Sequence, residues 1–227
     1  MGELKLLNFA LSHGDRQIVY PTITLQSGFV YCLFGSNGAG KTSLVNYLFG
    51  AQDVTIANGA VRVDDMTINV STSKHLGHLG YRLLPQRRPF TGNVSVPSML
   101  RLLSGGPASL VSCQLPRSTF RRKDLRNRFS RLSGGQAKLA IVEAYAANAS
   151  VSGIILDEPL AGLSSTTQYR LLDLLCGVAR RKGLQIMITS VFGEPRDALN
   201  AAIKSGDVLL LPILAAYQNR QLKESPQ

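Results

Sequence analysis

The sequence has no tryptophan, three cysteines, three histidines, and fourteen acidic residues against twenty-five basic ones. Cys32, Cys113 and Cys176 are isolated and odd in number. No pair has metal-ligand spacing, and nothing calls for an oxidising compartment. Cys32 falls in an apolar run and Cys176 in a helical one, so both read as small core residues. His75 and His78 share a polar loop. Two ligands are too few for a structural metal, and both read as surface residues. No apolar run approaches the ~20 residues that span a bilayer. Met1-Gly2-Glu3-Leu4-Lys5 lacks the basic region and apolar stretch of a secretion signal. These absences point to a soluble, cytoplasmic chain. Neither an internal repeat nor a low-complexity tract is present, and no C-terminal regulatory domain is expected after the core.

The shortage of acids leaves a net charge of +11. That balance favours an anionic partner: a nucleic acid, a nucleotide or an acidic membrane surface. With 227 residues, 44% apolar and 17% charged, the chain is ordinary for a globular protein and can bury a substantial core.

What is present begins with Gly35-Ser36-Asn37-Gly38-Ala39-Gly40-Lys41-Thr42-Ser43, set between apolar Phe29 to Phe34 and the helically spaced run Leu44 to Phe49. The spacing is that of a P-loop, G-x-x-x-x-G-K-[ST], in strand–loop–helix context. Its glycines admit close approaches that a Cβ would block, so successive N–H groups can turn inward as a nest for phosphate oxygens. A helix beginning near Lys41 adds unpaired N–H groups and a positive dipole end. Lys41 would reach the β- and γ-phosphates, and the Thr42 hydroxyl would ligate Mg²⁺. A glycine-rich turn with an incidental lysine does not account for the flanking strand and helix.

Asp157-Glu158-Pro159 closes the apolar run Gly153 to Leu156. An aspartate at that strand end can approach a Mg²⁺ held at Thr42, and the neighbouring carboxylate can take a proton from an attacking water. Standing alone, such a pair would be a solvated strand end. Leu132-Ser133-Gly134-Gly135-Gln136 opens a helix that runs to about Asn148. It supplies a second anion-binding helix start. Two such starts in one chain suggest that two chains sandwich each nucleotide.

Residues 3–9 and 17–25 alternate as half-exposed ribbon strands around a turn at Leu11 to Asp15. Short strands follow at Ala60 to Asp65 and Leu79 to Leu84, with buried strands at Leu184 to Thr189 and Val208 to Leu211. A helix covers 164–181, and the polar tail from Gln218 to Gln227 frays. Between about Arg87 and Arg131 arginines are many and acids few, and Pro89, Pro97, Pro107 and Pro116 break the segment into short helices or loops. The expected fold is α/β: a P-loop NTPase core with a mostly parallel sheet, an antiparallel β ribbon and an inserted helical subdomain. One domain spans 1–227, with a core lobe of 1–86 and 132–227 and a helical lobe of 87–131.

These motifs, in this order, resemble the ATP-binding cassette family, whose signature is the pentapeptide at Leu132 to Gln136. The resemblance covers about residues 3 to 211. It implies that Gly35 to Ser43 are the Walker A loop and Ile154 to Asp157 Walker B. Glu158 becomes the general base, and Gln86 the residue that senses Mg²⁺ and the γ-phosphate. Ser133, Gly134, Gly135 and Gln136 would contact the γ-phosphate held by the opposite subunit, and Ala161 to Ser164 take the D-loop place. His13 stands where an aromatic stacks on adenine, with Phe9 as the weaker candidate. Two positions depart from the pattern: Ser164 replaces an aspartate, and Ser190 replaces the switch histidine. A serine hydroxyl is shorter and cannot carry the imidazolium charge.

The resemblance therefore implies a subunit that binds ATP with Mg²⁺ and hydrolyses it, at the full or at a slowed rate. It would power transport through a separate transmembrane permease, on the inner face of the cell membrane. A second ATPase subunit, identical or related, would close head to tail upon it. The basic stretch Arg117 to Lys123, with Arg126, Arg128 and Arg131, reads as a solvated face or as a contact for acidic loops or anionic lipid headgroups. Nucleic acid ranks third because few aromatics are interleaved there. A non-transport relative acting on nucleic acid or ribosomes is the other class. The roughly 90 residues between the two phosphate motifs hold no long heptad arm, and a single cassette is present, which favours transport. Ser190 keeps open a third class, a weakly hydrolysing, ATP-dependent scaffold.

Overall fold

Which face of each strand is apolar decides how the layers stack. A computed structural model describes residues 2–13, 16–50, 55–68, 76–86, 94–106, 128–191, 197–213 and 216–219. Its strands are β1 (Glu3–His13), β2 (Arg16–Val19), β3 (Ile23–Gln26), β4 (Val30–Gly35), β5 (Thr55–Val63), β6 (Met66–Ile68), β7 (Tyr81–Leu84), β8 (Gly153–Leu156), β9 (Gln185–Val191), β10 (Val208–Pro212) and β11 (Ala216–Asn219). Its helices are α1 (Lys41–Leu48), α2 (Val96–Ser104), α3 (Gly134–Ala147), α4 (Ser165–Lys182) and α5 (Asp197–Lys204).

Five strands form a parallel sheet in the order β10-β4-β9-β8-β7. Six form an antiparallel sheet, β11-β2-β1-β5-β6, with β3 also paired to β1. The fold is α/β with parallel and antiparallel sheets. Along the parallel strands, side chains alternate between two cores, as the period of two requires. Val30, Cys32, Ile154, Leu156, Ile186 and Ile188 face α2, α3, α4 and α5. Tyr31, Leu33, Ile155 and Met187 face α1 and the antiparallel sheet. Each fully buried aliphatic of this kind contributes about 1.5–3 kcal/mol through removal from water.

Helix ends follow local chemistry. The Ser95 side chain caps α2 by accepting from the Ser98 N–H, and Pro97 occupies the first turn, where no intrahelical donor is needed. Gly105 and Gly183 end α2 and α4 in the left-handed region. The final turn of α4 carries Arg180, Arg181 and Lys182, which complement the negative end of its dipole.

Several sequence expectations are corrected. β1 runs on to His13 through the expected turn. A bulge between Leu7 and Ala10 moves its buried face from Leu4 and Leu6 to Phe9 and Leu11. Asn8 takes φ 46° there, and opposite it Gly59 leaves room that a Cβ, 2.3 Å from the Asn8 carbonyl, would not. The second ribbon strand divides into β2 and β3 around Tyr20-Pro21-Thr22. β5 begins at Thr55, well before the expected Ala60. β10 is an edge strand, so Leu209 and Leu210 are 38% and 43% exposed rather than buried. Gln218 belongs to β11, and 220–227 lie outside the described residues. Helix α5 had no counterpart in the sequence reading. His75, Cys113 and the basic stretch 117–126 also lie outside the described residues, as does most of the segment 87–131.

Between α3 and α4 lies an open cavity of about 490 Å³, lined by Glu143, Ala146, Val178, Arg181 and Lys182. Glu143 is buried, and loss of hydration pushes its carboxyl up to about 7, with Arg181 pulling modestly the other way. Between the ordinary carboxyl range and pH 7 the folded chain keeps a proton that the unfolded chain releases, so stability falls as pH rises through that window. Glu143→Gln removes the penalty. We expect a gain of about 1–2 kcal/mol at pH 8, discounted because the carboxyl faces an open cavity, and no gain near pH 4. Thermal melts across that range should therefore show a rise of roughly 2–6 °C at the alkaline end only.

Candidate nucleotide site

Because the five strands are parallel, every loop that follows one emerges at the same carboxyl edge, where such sheets bind ligands. The loop after β4, from Ser36 to Gly40, turns into α1 with Gly38 at φ 77° and Gly40 at φ 91°. Ser36, Asn37 and Gly38 are exposed, whereas Gly35, Ala39 and Gly40 are buried. A Cβ on Gly40 would lie 2.8 Å from both Ile18 Cγ2 and the Tyr20 hydroxyl oxygen. The Tyr20 hydroxyl itself donates to the Gly40 carbonyl at 2.8 Å. One side chain from the link between β2 and β3 thus fixes the last turn of the loop.

Lys41 is 4% exposed, and its Nζ donates to the carbonyls of Gly35 at 3.0 Å and Ser36 at 2.8 Å. The ammonium therefore sits inside the curve of the loop. Thr42 is exposed at the start of α1, beside the half-buried Ser43, and its Oγ1 donates to Asp157 Oδ2 at 3.1 Å. Asp157 is buried just past β8. Glu158 follows at φ 45° and accepts from Gln86 Nε2 at 2.7 Å. Gln86 itself is exposed after β7. Four residues spread over 117 positions, Thr42, Gln86, Asp157 and Glu158, meet at this edge through two side-chain contacts.

Ser190 is fully buried near the end of β9, in register with Phe34 of β4. Ser133 caps α3: its hydroxyl accepts from the Gln136 N–H at 3.2 Å, while its own N–H donates to Gln136 Oε1 at 3.0 Å. Ser133 and Gly134 are exposed, and a Cβ on Gly135 would meet Thr167 Cγ2 of α4 at 2.5 Å. This second helix start lies beside the first turn of α4. Ser164 caps α4 by accepting from the Thr167 N–H. His13 ends β1 in register with Arg16, and only its backbone is described. Phe9 is fully buried against Tyr20 and Tyr47, with ring centroids 5.7 and 5.2 Å away. Its expected alternative role on an adenine is excluded by that packing.

Three contributors were missed from sequence. Tyr20 has been described. Lys138 Nζ donates to the Pro159 carbonyl at 2.6 Å, tying α3 to the turn after Glu158, and burial pulls its ammonium below the usual range. Its signal was a lone base in an alanine-rich helix. Thr189 Oγ1 donates to Asp157 Oδ1 at 2.7 Å and accepts from the Glu158 N–H at 2.8 Å. Its signal was a hydroxyl directly after the apolar run Ile186 to Ile188.

The donors fit a nucleotide with a hard cation. The loop leaves no room for a Cβ at Gly40, and Thr42 and Asp157 bring hydroxyl and carboxylate oxygens together, the ligand type that Mg²⁺ prefers. Among the described residues no cluster of three or more His, Cys, Asp or Glu could hold a metal, and no helix is long and apolar enough to cross a membrane.

A family model described as ABC transporter matches residues 21–161. The chain is 24% identical over 216 residues to the arabinose import ATP-binding protein of Burkholderia pseudomallei, covering 86% of this chain and 41% of that one. It is 26% identical over 181 residues to an energy-coupling factor transporter ATP-binding protein of Staphylococcus epidermidis, covering 74% and 62%. The chain thus spans about two fifths of the length of the arabinose importer it matches. An ABC transporter ATP-binding protein from Pyrococcus furiosus shares the fold at a TM-score of 0.71 and 16% identity, covering 93% of this chain and 97% of that one.

Proposed function

Because this chain belongs to the ABC transporter family, whose ATP-binding subunits bind nucleotide, we propose that it binds ATP with Mg²⁺, hydrolyses it and drives a separate membrane permease. The carrying observation is the meeting of Thr42, Asp157, Glu158 and Gln86 at the carboxyl edge beside the phosphate loop. In this reading the amides of Ser36 to Gly40, with Lys41, Thr42 and Ser43, hold the phosphate chain. Thr42, Asp157 and Gln86 would hold the metal, which neutralises phosphate charge when bound. Gln86, with its amide nitrogen on Glu158, has its carbonyl oxygen to offer.

Glu158 takes a proton from the water that attacks the γ-phosphorus, and the bond to the β-phosphate oxygen breaks to leave ADP. Ser133 and Gly134, exposed at a helix start, with Gly135 and Gln136 behind them, face the γ-phosphate of a second subunit in a head-to-tail dimer. His13 lies near the adenine. The inserted segment 87–131 forms the lobe that meets the permease, and the subunit works at the inner face of the membrane.

Ser190 supports a second reading, an ATP switch that turns over slowly, because a buried serine stands where an imidazole would supply a positive charge. Steady-state phosphate release by the wild type and by Ser190→His tests both. We expect measurable turnover that rises about tenfold with Ser190→His. A chain that binds ATP but releases no phosphate, with or without the histidine, overturns the hydrolytic reading and leaves a switch completed by another subunit.

A further inference from the structure

The Thr189 side chain bonds both Asp157 and its neighbour Glu158. It lies on β9, between β4 and β8, and is fully buried. A hydroxyl has one hydrogen to give and lone pairs to accept. Thr189 uses both capacities, donating to Asp157 Oδ1 at 2.7 Å and accepting from the Glu158 N–H at 2.8 Å. The two contacts constrain different things. With Oδ1 held by Thr189, the Asp157 carboxylate presents its edge to Thr42, Oδ2 at 3.1 Å and Oδ1 at 3.4 Å. With its N–H held, Glu158 stays at φ 45°, a left-handed conformation that costs a residue with a Cβ on the order of 1–2 kcal/mol. In that conformation its carboxylate reaches Gln86.

We propose that Thr189 is a positioning residue for the reaction: its hydroxyl straps the metal-facing carboxylate of Asp157 to the backbone of Glu158, so that ion and base are set by one group. The proposal rests on the ATP-hydrolysing reading of the site. It assigns Thr189 no contact with substrate. Its effect passes through the rotation of Asp157 and the backbone of Glu158.

The test compares Thr189→Val, which keeps the shape and loses the hydroxyl, with Thr189→Ser, which keeps the hydroxyl. Three readouts separate the strap from simple packing. In the nucleotide-free chain, amide hydrogen exchange at Glu158 should quicken about tenfold in the valine variant. The gain in ATP affinity on adding Mg²⁺ should shrink about tenfold, with affinity in EDTA unchanged. The kcat should fall about 10- to 100-fold with KM within about threefold, as expected when a positioned group is lost. Thr189→Ser should lie within about threefold of wild type throughout. Wild-type exchange and Mg²⁺ gain in the valine variant overturn the proposal. So does a serine variant as impaired as valine, because the methyl would then be what matters. If the valine variant fails to fold, the serine variant decides alone: a tenfold loss of the Mg²⁺ gain overturns the strap, and its retention supports it. A wild-type chain that binds ATP with Mg²⁺ yet hydrolyses none defeats the hydrolytic reading only, since the exchange and Mg²⁺ readouts still decide on Thr189.

Discussion

Replacing Glu158 by glutamine is expected to lower ATP turnover by a factor of about 10³ while leaving ATP affinity within about threefold of wild type. The amide has nearly the same shape as the carboxylate but cannot take up a proton from water. Its surroundings explain why the fold should survive. The Glu158 N–H donates to Thr189, and its carbonyl accepts from the Ala161 N–H at 3.2 Å, both backbone contacts that the substitution leaves alone. Gln86 Nε2 can still donate to an amide oxygen where it now meets a carboxylate oxygen at 2.7 Å. Phosphate release and equilibrium binding of a fluorescent ATP analogue, measured on the same preparation, separate the two effects. If the dimeric reading holds, the variant also accumulates an ATP-dependent dimer in gel filtration, because the step that opens it has been slowed. Retention of more than about a tenth of the wild-type rate would place the base elsewhere.

Lys41→Met should weaken ATP binding by about two orders of magnitude. The ammonium is buried within the loop and holds the carbonyls of Gly35 and Ser36. It keeps the loop curled and puts positive charge at the centre of the curve. Charge-assisted hydrogen bonds of this kind contribute about 1.5–3 kcal/mol each, and methionine replaces neither the donors nor the charge. Because the methionine chain fills similar volume, the melting temperature should drop by only a few degrees. Titration calorimetry with ATP checks the affinity. A loss of less than threefold would mean that the lysine serves the loop alone and not the phosphates.

The elements that carry the candidate site are legible in the sequence where they are local. Gly35 to Ser43, Asp157-Glu158 and Leu132 to Gln136 are contiguous, and each has in its spacing the strand end or helix start on which the structure places it. Thr189 and Tyr20 were not legible because their partners are distant in the chain. The Thr189 hydroxyl meets Asp157 thirty-two positions away, and Tyr20 meets Gly40 across twenty. No short-range pattern encodes either contact. The early end assigned to β1 has a different cause. The bulge at Asn8 shifts the buried face by one residue, so the alternation that identified the strand fails while the strand itself continues. β10 misled in the opposite sense. Its apolar run resembles a central strand, but position at the sheet edge exposes Leu209 and Leu210, and edge position is set by pairing, which hydrophobicity does not report.

Neighbouring residues of the parallel sheet belong to different mechanical neighbourhoods. Cys32 and Leu33 are adjacent in β4 and both fully buried, but the first faces the helices and the second faces α1 and the antiparallel sheet. A change of volume at Leu33 presses on the same packing that seats Ile18 and Tyr20 beneath Gly40, so its damage travels toward the phosphate loop. The same change at Cys32 is absorbed among α3, α4 and their neighbours, on the far side of the sheet. Odd and even positions of one strand therefore sort substitutions into those that disturb ligand capture and those that chiefly lower stability.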